Sequence, residues 1–201
     1  MLDWPDILDF WFGPLDEEGI PDDFHRGRWF HSTRKFDQEI RRRFLSLVVV
    51  AGEDGLLHWR HTGAGRLAEI LLLDQFTRNI HRGGALAFSN DRLCLQLCKE
   101  GLKVGADTVL PGVQRCFFYL PLQHSERIGD QELGVELYQQ LVAMERGDLA
   151  PLLEGFLASA RDHRDVIRRF GRFPHRNRVL GRLSTEEERD YLGATGKRFG
   201  Q

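Results

Sequence analysis

The sequence lacks the long apolar runs and paired cysteines that mark membrane and secreted proteins. Its longest apolar run, from Phe44 to Ala51, has eight residues and contains Ser46, whereas a helix that spans a bilayer needs about 20. The residues that follow Met1 have neither the basic nor the apolar region of a signal peptide. Three cysteines, an odd number, favour reduced thiols. We therefore expect a cytoplasmic protein that has no membrane partner.

An excess of charge of one sign is also missing, because 28 basic residues face 30 acidic ones and the net charge is −2. This balance gives no general reason to expect nucleic acid as a partner. The exception is local, since eight arginines and only two acidic residues lie between Arg161 and Arg182. The whole chain has 24 arginines and four lysines, and arginine is the side chain that holds phosphate or carboxylate through two parallel hydrogen bonds. The segment is either an anion-binding segment or a solvated helix face with interhelical salt bridges.

Familiar cofactor and metal motifs are absent as well. The sequence has no phosphate-binding loop, no dinucleotide-binding glycine motif, no nucleophile elbow and no Glu-x-x-His pair. It therefore leaves any cofactor unknown and predicts no metal site.

Alternating strand patterns are almost absent, and helical periodicity dominates. Apolar residues recur every three or four positions over Thr33 to Ala51, Gly65 to Ile80 and Leu149 to Phe170, a spacing typical of helices with one buried face. We predict a single all-α domain over residues 1–201, built of stacked antiparallel helix hairpins. Its tail should fray from about residue 194.

The sequence also indicates where some helices begin and end. Gly171 should stop the helix before it, and Pro174 should keep the next segment irregular. Ser184 and Glu187 have the spacing of a capping box, which should start a last helix. In the helix that begins near residue 130, Met144 is expected to face inward.

Charged and polar residues fall on faces that should be buried. Asp74 and Arg78 are one helical turn apart and extend the apolar stripe of Leu67 and Leu71. A buried charge must be paired or hydrated. Asp74 and Arg78 therefore form either a structural ion pair or a pocket wall in which Asp74 orients Arg78. His163 lies on another apolar stripe, as a core histidine or as part of the same wall.

A third polar element surrounds His124. Glu126 follows it at i, i+2, so the two side chains could act as acid and base, or the carboxylate could fix the tautomer of the imidazole. Two further segments echo each other, because Asp74–Asn79 and Gly171–Asn177 each hold a Phe followed shortly by Arg-Asn. The two Arg-Asn pairs could converge on one anion, or each Asn could bond its local backbone.

Four ordered motifs together resemble the bacterial "domain of unknown function 924" family: Asp9-Phe-Trp-Phe-Gly13, Leu72-Leu-Asp-Gln-Phe-Thr-Arg-Asn79, Leu120-Pro-Leu-Gln-His-Ser-Glu126 and Arg169-Phe-Gly-Arg-Phe-Pro-His-Arg-Asn177. The resemblance extends from the N-terminal Trp-Phe segment to Leu180-Gly-Arg182. It implies a tetratricopeptide-like fold of stacked helix hairpins and a cytoplasmic setting, but no activity. Where the family usually has Pro, this chain has Thr77. A Pro there would end the helix near residue 76, which places Arg78 at a helix end.

We predict that these groups form one polar pocket that binds an anionic small molecule through its phosphate or carboxylate. The candidate ligand-binding residues are Asp74, Arg78, Asn79, His163, Arg172, His175, Arg176 and Asn177. Arg78, Arg172 and Arg176 would clamp the anion. A catalytic version adds His124 as an acid or base that is steered by Glu126. Two alternatives stay open: a groove that captures a peptide carboxylate, and a purely structural polar network.

Overall fold

The computed structural model describes residues 2–30, 33–145 and 147–195. The α-helices in these ranges are α1 (Trp4–Phe12), α2 (Asp23–Phe30), α3 (Arg34–Gly52), α4 (Gly63–Leu71), α5 (Thr77–Ile80), α6 (Asp91–Lys103), α7 (Gly112–Gln123), α8 (Ile128–Met144), α9 (Leu149–Phe170) and α10 (Glu186–Thr195). Three short 3-10 turns lie at Leu57–His61, Ala85–Phe88 and Pro174–Arg176, and a π-helical turn at Leu72–Phe76 joins α4 to α5.

Extended structure in the described ranges is limited to one antiparallel bridge between Leu15 and Pro21. The all-α prediction is therefore confirmed. None of the described helices combines the length and the apolar character that a membrane crossing requires.

Helix α9 forms where its apolar periodicity predicts it. The residues of its stripe, among them Leu153, Phe156 and Ala160, are buried. The helix ends at Gly171, whose φ of 68° lies in the left-handed region and whose N–H donates to the carbonyl of Ile167 at 2.8 Å. A residue without Cβ adopts this backbone at little cost, so the predicted stop at glycine is confirmed.

Neighbouring helices pack around one large buried core, and a smaller buried cluster of Val166, Ile167 and Phe173 lies at the end of α9. Helix α8 contacts both α7 and α9, α1 lies against α4, and α3 lies against α5. The ring of Phe117 on α7 links these groups, with centroids 4.7 Å from Trp29, 5.8 Å from Trp11 and 5.4 Å from Phe156. The chain is a single all-α domain, and its tetratricopeptide-like geometry stays a prediction.

Two local predictions were wrong. The capping box of α10 lies one residue later than predicted, since Thr185 N–H donates to Glu188 Oε2 at 2.8 Å and Glu188 N–H donates to Thr185 Oγ1 at 3.1 Å. Met144 is 63% exposed rather than inward. Helix α10 runs to Thr195, and the rest of the tail predicted to fray, residues 196–201, lies outside the described residues.

Candidate functional site

A widened helical turn places Asp74 inside the fold. Over Leu72–Phe76 the chain makes a π-helical turn, in which the N–H of Thr77 donates to the carbonyl of Leu72. The Thr77 hydroxyl donates to the same carbonyl at 2.9 Å. A proline at this position would have no N–H to donate, whereas Thr77 lets the helix continue through Arg78 to Ile80. Such π turns are rare and concentrate at functional sites.

Asp74 pairs with His124, which caps the C-terminus of α7. The side chain of Asp74 is 2% exposed, and its Oδ1 lies 2.7 Å from His124 Nδ1. A carboxylate only accepts hydrogen bonds, so Nδ1 carries the proton in this contact. In the neutral ring the lone pair then lies on Nε2. Burial, aided by the charges of Arg78 and Arg176, holds the pKa of His124 below its usual value despite the opposing effect of Asp74.

Two buried arginines share a second carboxylate, Asp91 at the start of α6. Arg78 Nη2 lies 2.9 Å from Asp74 Oδ1 and 2.8 Å from Asp91 Oδ1. Arg176 Nη1 lies 3.2 Å from Asp91 Oδ2. The predicted pairing of Asp74 with Arg78 is confirmed, and the predicted approach of Arg78 to Arg176 is found as well.

The two arginines differ in how well their charge is compensated. Burial acts to lower the pKa of Arg78, but Asp74 and Asp91 outweigh it and the pKa is raised. Burial, together with the nearby charge of Arg78, lowers the pKa of Arg176 to about 10. The pKa of Asp74 is also well below its ordinary value, because the interactions with His124 and Arg78 outweigh the effect of burial. Arg176 is therefore the cation of this cluster whose charge is least neutralised.

Aromatic rings hold Arg176 in position. Its guanidinium carbon lies 4.6 Å from the centroid of Phe88 and 4.5 Å from that of Phe173. Its buried Nε has no hydrogen-bond partner among the described residues. Contact with two rings restricts the movement of the guanidinium, while its Nε–H is left without an acceptor among the described residues. A buried donor in this state is costly unless a ligand satisfies it.

Several of these groups line a cleft of about 780 Å³, whose wall combines charged side chains with apolar ones such as Leu95 and Pro121. Asp74, Asp91, His124 and Arg176 form one part of its wall, and α6 forms another. The exposed side chains at its edge include Arg92, Lys103 and Arg127.

The predicted steering of His124 by Glu126 was wrong. The carboxylate of Glu126 lines the cleft but is held by Arg182, with contacts of 2.6 and 2.9 Å, and it accepts the Phe173 N–H at 2.8 Å. The carboxylate that orients the imidazole is Asp74, which is fifty residues away in the sequence. Glu126 instead ties the start of the α7–α8 turn to the segment after α9.

Four of the predicted ligand-binding arginines and asparagines do not line the cleft: Arg78, Asn79, Arg172 and Asn177. Asn79 donates to Asp37 on α3 at 2.7 Å. Arg172 makes two contacts with Glu188, at 2.7 and 2.9 Å. Asn177 is fully buried and donates to the same Glu188 at 3.1 Å. Arg78 is held by Asp74 and Asp91, so of the predicted clamp of three arginines only Arg176 lines the cleft. The other contacts tie helices together.

Two histidines predicted to bind the ligand, His163 and His175, do not line the cleft. The ring of His163 is buried, 6.1 Å from His124 and 5.6 Å from Phe173. His175 lies on the other side of Phe88, at a smaller cavity of about 250 Å³. Burial lowers the pKa of both histidines to about 3, so each is neutral at ordinary pH.

Sequence reasoning missed Asp91, Phe88 and Lys99 as residues of the cleft. Asp91 is an acidic residue in the first turn of a helix. An acidic residue there stabilises a helix in any protein through the helix dipole, so its position did not indicate a site. Phe88 and Lys99 have no local pattern that separates them from ordinary apolar and surface residues. No group of His, Cys, Asp and Glu in the described ranges has the arrangement of a metal site.

The fold and the cleft define an all-α protein in which a buried His–carboxylate pair and Arg176 line one cleft. The chain belongs to the DUF924 family of bacterial proteins of unknown function, whose pattern it matches over residues 7–196. It is similar to a solved structure, the protein of unknown function ATU0120 from Agrobacterium tumefaciens, with 37% identity and a TM-score of 0.78. That match covers 95% of this chain and 97% of the other. No curated protein matches the sequence.

Proposed function

We propose that the cleft binds an anionic small molecule through Arg176 and that His124, oriented by Asp74, exchanges a proton with it. The single observation that carries this proposal is the state of Arg176, a buried guanidinium whose Nε–H has no acceptor among the residues that the structure describes. Its guanidinium contacts the rings of Phe88 and Phe173.

Charge supports the binding of an anion. Asp74 and Asp91 balance Arg78 and Arg176, but most of that compensation falls on Arg78. A phosphate or carboxylate that accepts from Arg176 would supply the missing acceptor and restore its pKa. Hydrogen bonds to a charged group contribute about 1.5–3 kcal/mol when both partners are desolvated.

The state of His124 supports proton exchange. With Nδ1–H donated to Asp74, the neutral ring offers the lone pair of Nε2 as a base. A bound anion would raise the pKa of His124 toward neutrality, because it offsets the arginine charges that now lower it. Proton transfer is most effective when the pKa lies near the working pH.

Thermal denaturation with phosphate and with short carboxylates tests the anion site. A ligand at 100 times its Kd should add about 2.7 kcal/mol, which is a rise in Tm of roughly 5–10 °C for a domain of this size. The rise should vanish in Arg176→Met and persist in Arg178→Met, a variant of an exposed arginine in the same segment that does not line this cleft. If no anion raises Tm, or if the rise survives in Arg176→Met, the proposal is wrong.

Alkylation tests the role of His124. Iodoacetate carries both a carboxylate and an electrophilic carbon, so Arg176 should guide it to the imidazole. We expect it to alkylate His124 faster than neutral iodoacetamide does, and we expect phosphate to protect the ring. Peptide mapping separates this product from alkylation of Cys94, whose thiol is buried and has a raised pKa. Equal rates for the two reagents, or no protection by phosphate, would contradict the assignment.

A further inference from the structure

The cleft is elongated, because one face of α6 runs along it. Asp91, Leu95, Lys99 and Lys103 follow one another at four-residue intervals and all line the cleft. A helix rises about 1.5 Å per residue, so Asp91 and Lys99 are separated by about 12 Å along the axis. Arg176 lies at the Asp91 end. A ligand bound at Arg176 therefore has room to extend along α6 toward the lysines.

The far end of the cleft holds two lysines, Lys99 and Lys103, with Glu100 beside them. Lys99 forms an ion pair with the buried Asp130, and Asp130 also accepts from the Ser125 hydroxyl at 2.7 Å. An ammonium group has three donors, so the contact with Asp130 fixes Lys99 and leaves donors for a ligand. Lys103 follows one turn later on the same face. Two of the four lysines in the chain thus line this one cleft.

The middle of the cleft differs from both ends. Leu95 lies between Asp91 and Lys99 on the α6 face, and Pro121 of α7 also contributes apolar lining. His124 also lines the cleft. Hydrocarbon placed against Leu95 and Pro121 would lose contact with water at a gain of about 25 cal/mol per Å².

We propose that the ligand is an elongated dianion with an apolar middle, one anionic end at Arg176 and the other at Lys99 and Lys103. This inference rests on the proposed function, since it assigns the second end of the same ligand. The anionic groups can be carboxylates or phosphates, which the same side chains recognise.

Calorimetric titration with α,ω-dicarboxylates tests the proposal, from succinate through adipate and suberate to dodecanedioate. Octanoate serves as the control that matches suberate in length but lacks the second carboxylate. Binding should strengthen with length up to suberate or beyond, and suberate should bind roughly tenfold more tightly than octanoate. Phosphate should bind at the Arg176 end alone.

Lysine variants identify the second end. In Lys99→Met the advantage of suberate over octanoate should disappear, while octanoate and phosphate bind as before. Lys103→Met leaves the ion pair between Lys99 and the buried Asp130 intact. It should reduce the advantage of suberate over octanoate without disturbing Asp130. Lys35→Met is the matched control, because Lys35 is exposed on α3 and does not line the cleft; it should change nothing.

The possible failures are distinguishable. If suberate and octanoate bind equally while both still require Arg176, the second site is refuted and the anion site stands. The second site is also refuted if suberate keeps its advantage in both lysine variants. If phosphate and octanoate each bind to Arg176→Met as tightly as to the unsubstituted protein, the proposed function fails together with this inference.

Discussion

Replacement of Asp74 by asparagine should destabilise the fold strongly. The carboxylate is 2% exposed and accepts from Arg78 Nε at 3.1 Å and from His124 Nδ1 at 2.7 Å. In Asp74→Asn, Asp91 is the anionic partner that the buried guanidinium of Arg78 keeps among the described residues. Breaking a buried ion pair from one side costs about 3–5 kcal/mol, and the remaining contact with Asp91 places the expected loss near ~3 kcal/mol. This corresponds to a fall in Tm of roughly 6–12 °C.

Urea unfolding followed by circular dichroism measures this loss. Glu132→Gln is the matched control, because Glu132 and Arg168 form an ion pair at 3.0 Å with both side chains about half exposed. Its loss should stay below ~1 kcal/mol. The pKa of Asp74 is depressed in the fold, so its contribution is present above the unfolded pKa of about 3.9 and is lost as the pH falls below that value. A loss of less than ~1 kcal/mol for Asp74→Asn at pH 7 would refute this reasoning.

Further predictions concern stability away from Arg176. His163 and His175 both have a pKa lowered to about 3 by burial, so below pH ~6.5 the unfolded chain takes up a proton at each of them that the folded chain does not bind. Each should lower the stability by up to ~1.4 kcal/mol per pH unit. In urea unfolding at pH 7 and pH 5, His163→Phe should remove the share of His163 and leave that of His175. Gly101→Ala should cost about 1–3 kcal/mol, because the added Cβ would lie 2.5 Å from Phe118 Cζ. Gly155→Ala on α9 should instead stabilise the protein by roughly 0.5–1 kcal/mol, because no described atom lies within 4 Å of the added Cβ. Thermal unfolding of the two glycine variants shows whether the first lowers Tm and the second raises it. Glu188→Gln should increase amide hydrogen exchange throughout α10, whereas unchanged protection there would show that Glu188 does not anchor the helix.

The long helices could be predicted from the sequence because their boundaries depend on local chemistry. The apolar stripe of α9 and Gly171 after it specify one helix with one register. Local patterns failed where two neighbouring pairs fit the same motif and a contact with a distant residue determines which pair forms it. Thr185 and Glu188 form the capping box in place of Ser184 and Glu187, because Glu188 also accepts hydrogen bonds from Arg172 and Asn177.

Helix α8 shows the same dependence on distant contacts. An apolar stripe predicted Met144 to face inward, but the buried face includes Gln131 and Gly134. Gln131 is buried because it donates to the carbonyl of Gln123 at 2.6 Å. Gly134 allows a close approach, since an added Cβ would lie 3.3 Å from the side chain of Leu122. Neither reason is visible in a count of apolar residues.

For the candidate site, the sequence identified polar groups but not their partners. Asp74, His124 and Arg176 were each predicted, and the structure brings them to one cleft. The partner assigned to His124 was the nearest carboxylate in sequence, Glu126, whereas the real contact joins residues on different helices. Sequence proximity cannot supply such a contact, because it depends on how α7 packs beside the π turn.

The most direct measurement of the central claim is the Nε–H signal of Arg176 in a ¹H–¹⁵N correlation spectrum. The signal is assigned by its absence from the spectrum of Arg176→Met. Because this N–H is buried without an acceptor in the described part of the chain, its signal should move strongly downfield when phosphate is added and a charge-assisted hydrogen bond forms. A signal that stays in place at high phosphate concentration would contradict the claim that Arg176 is an anion-binding residue.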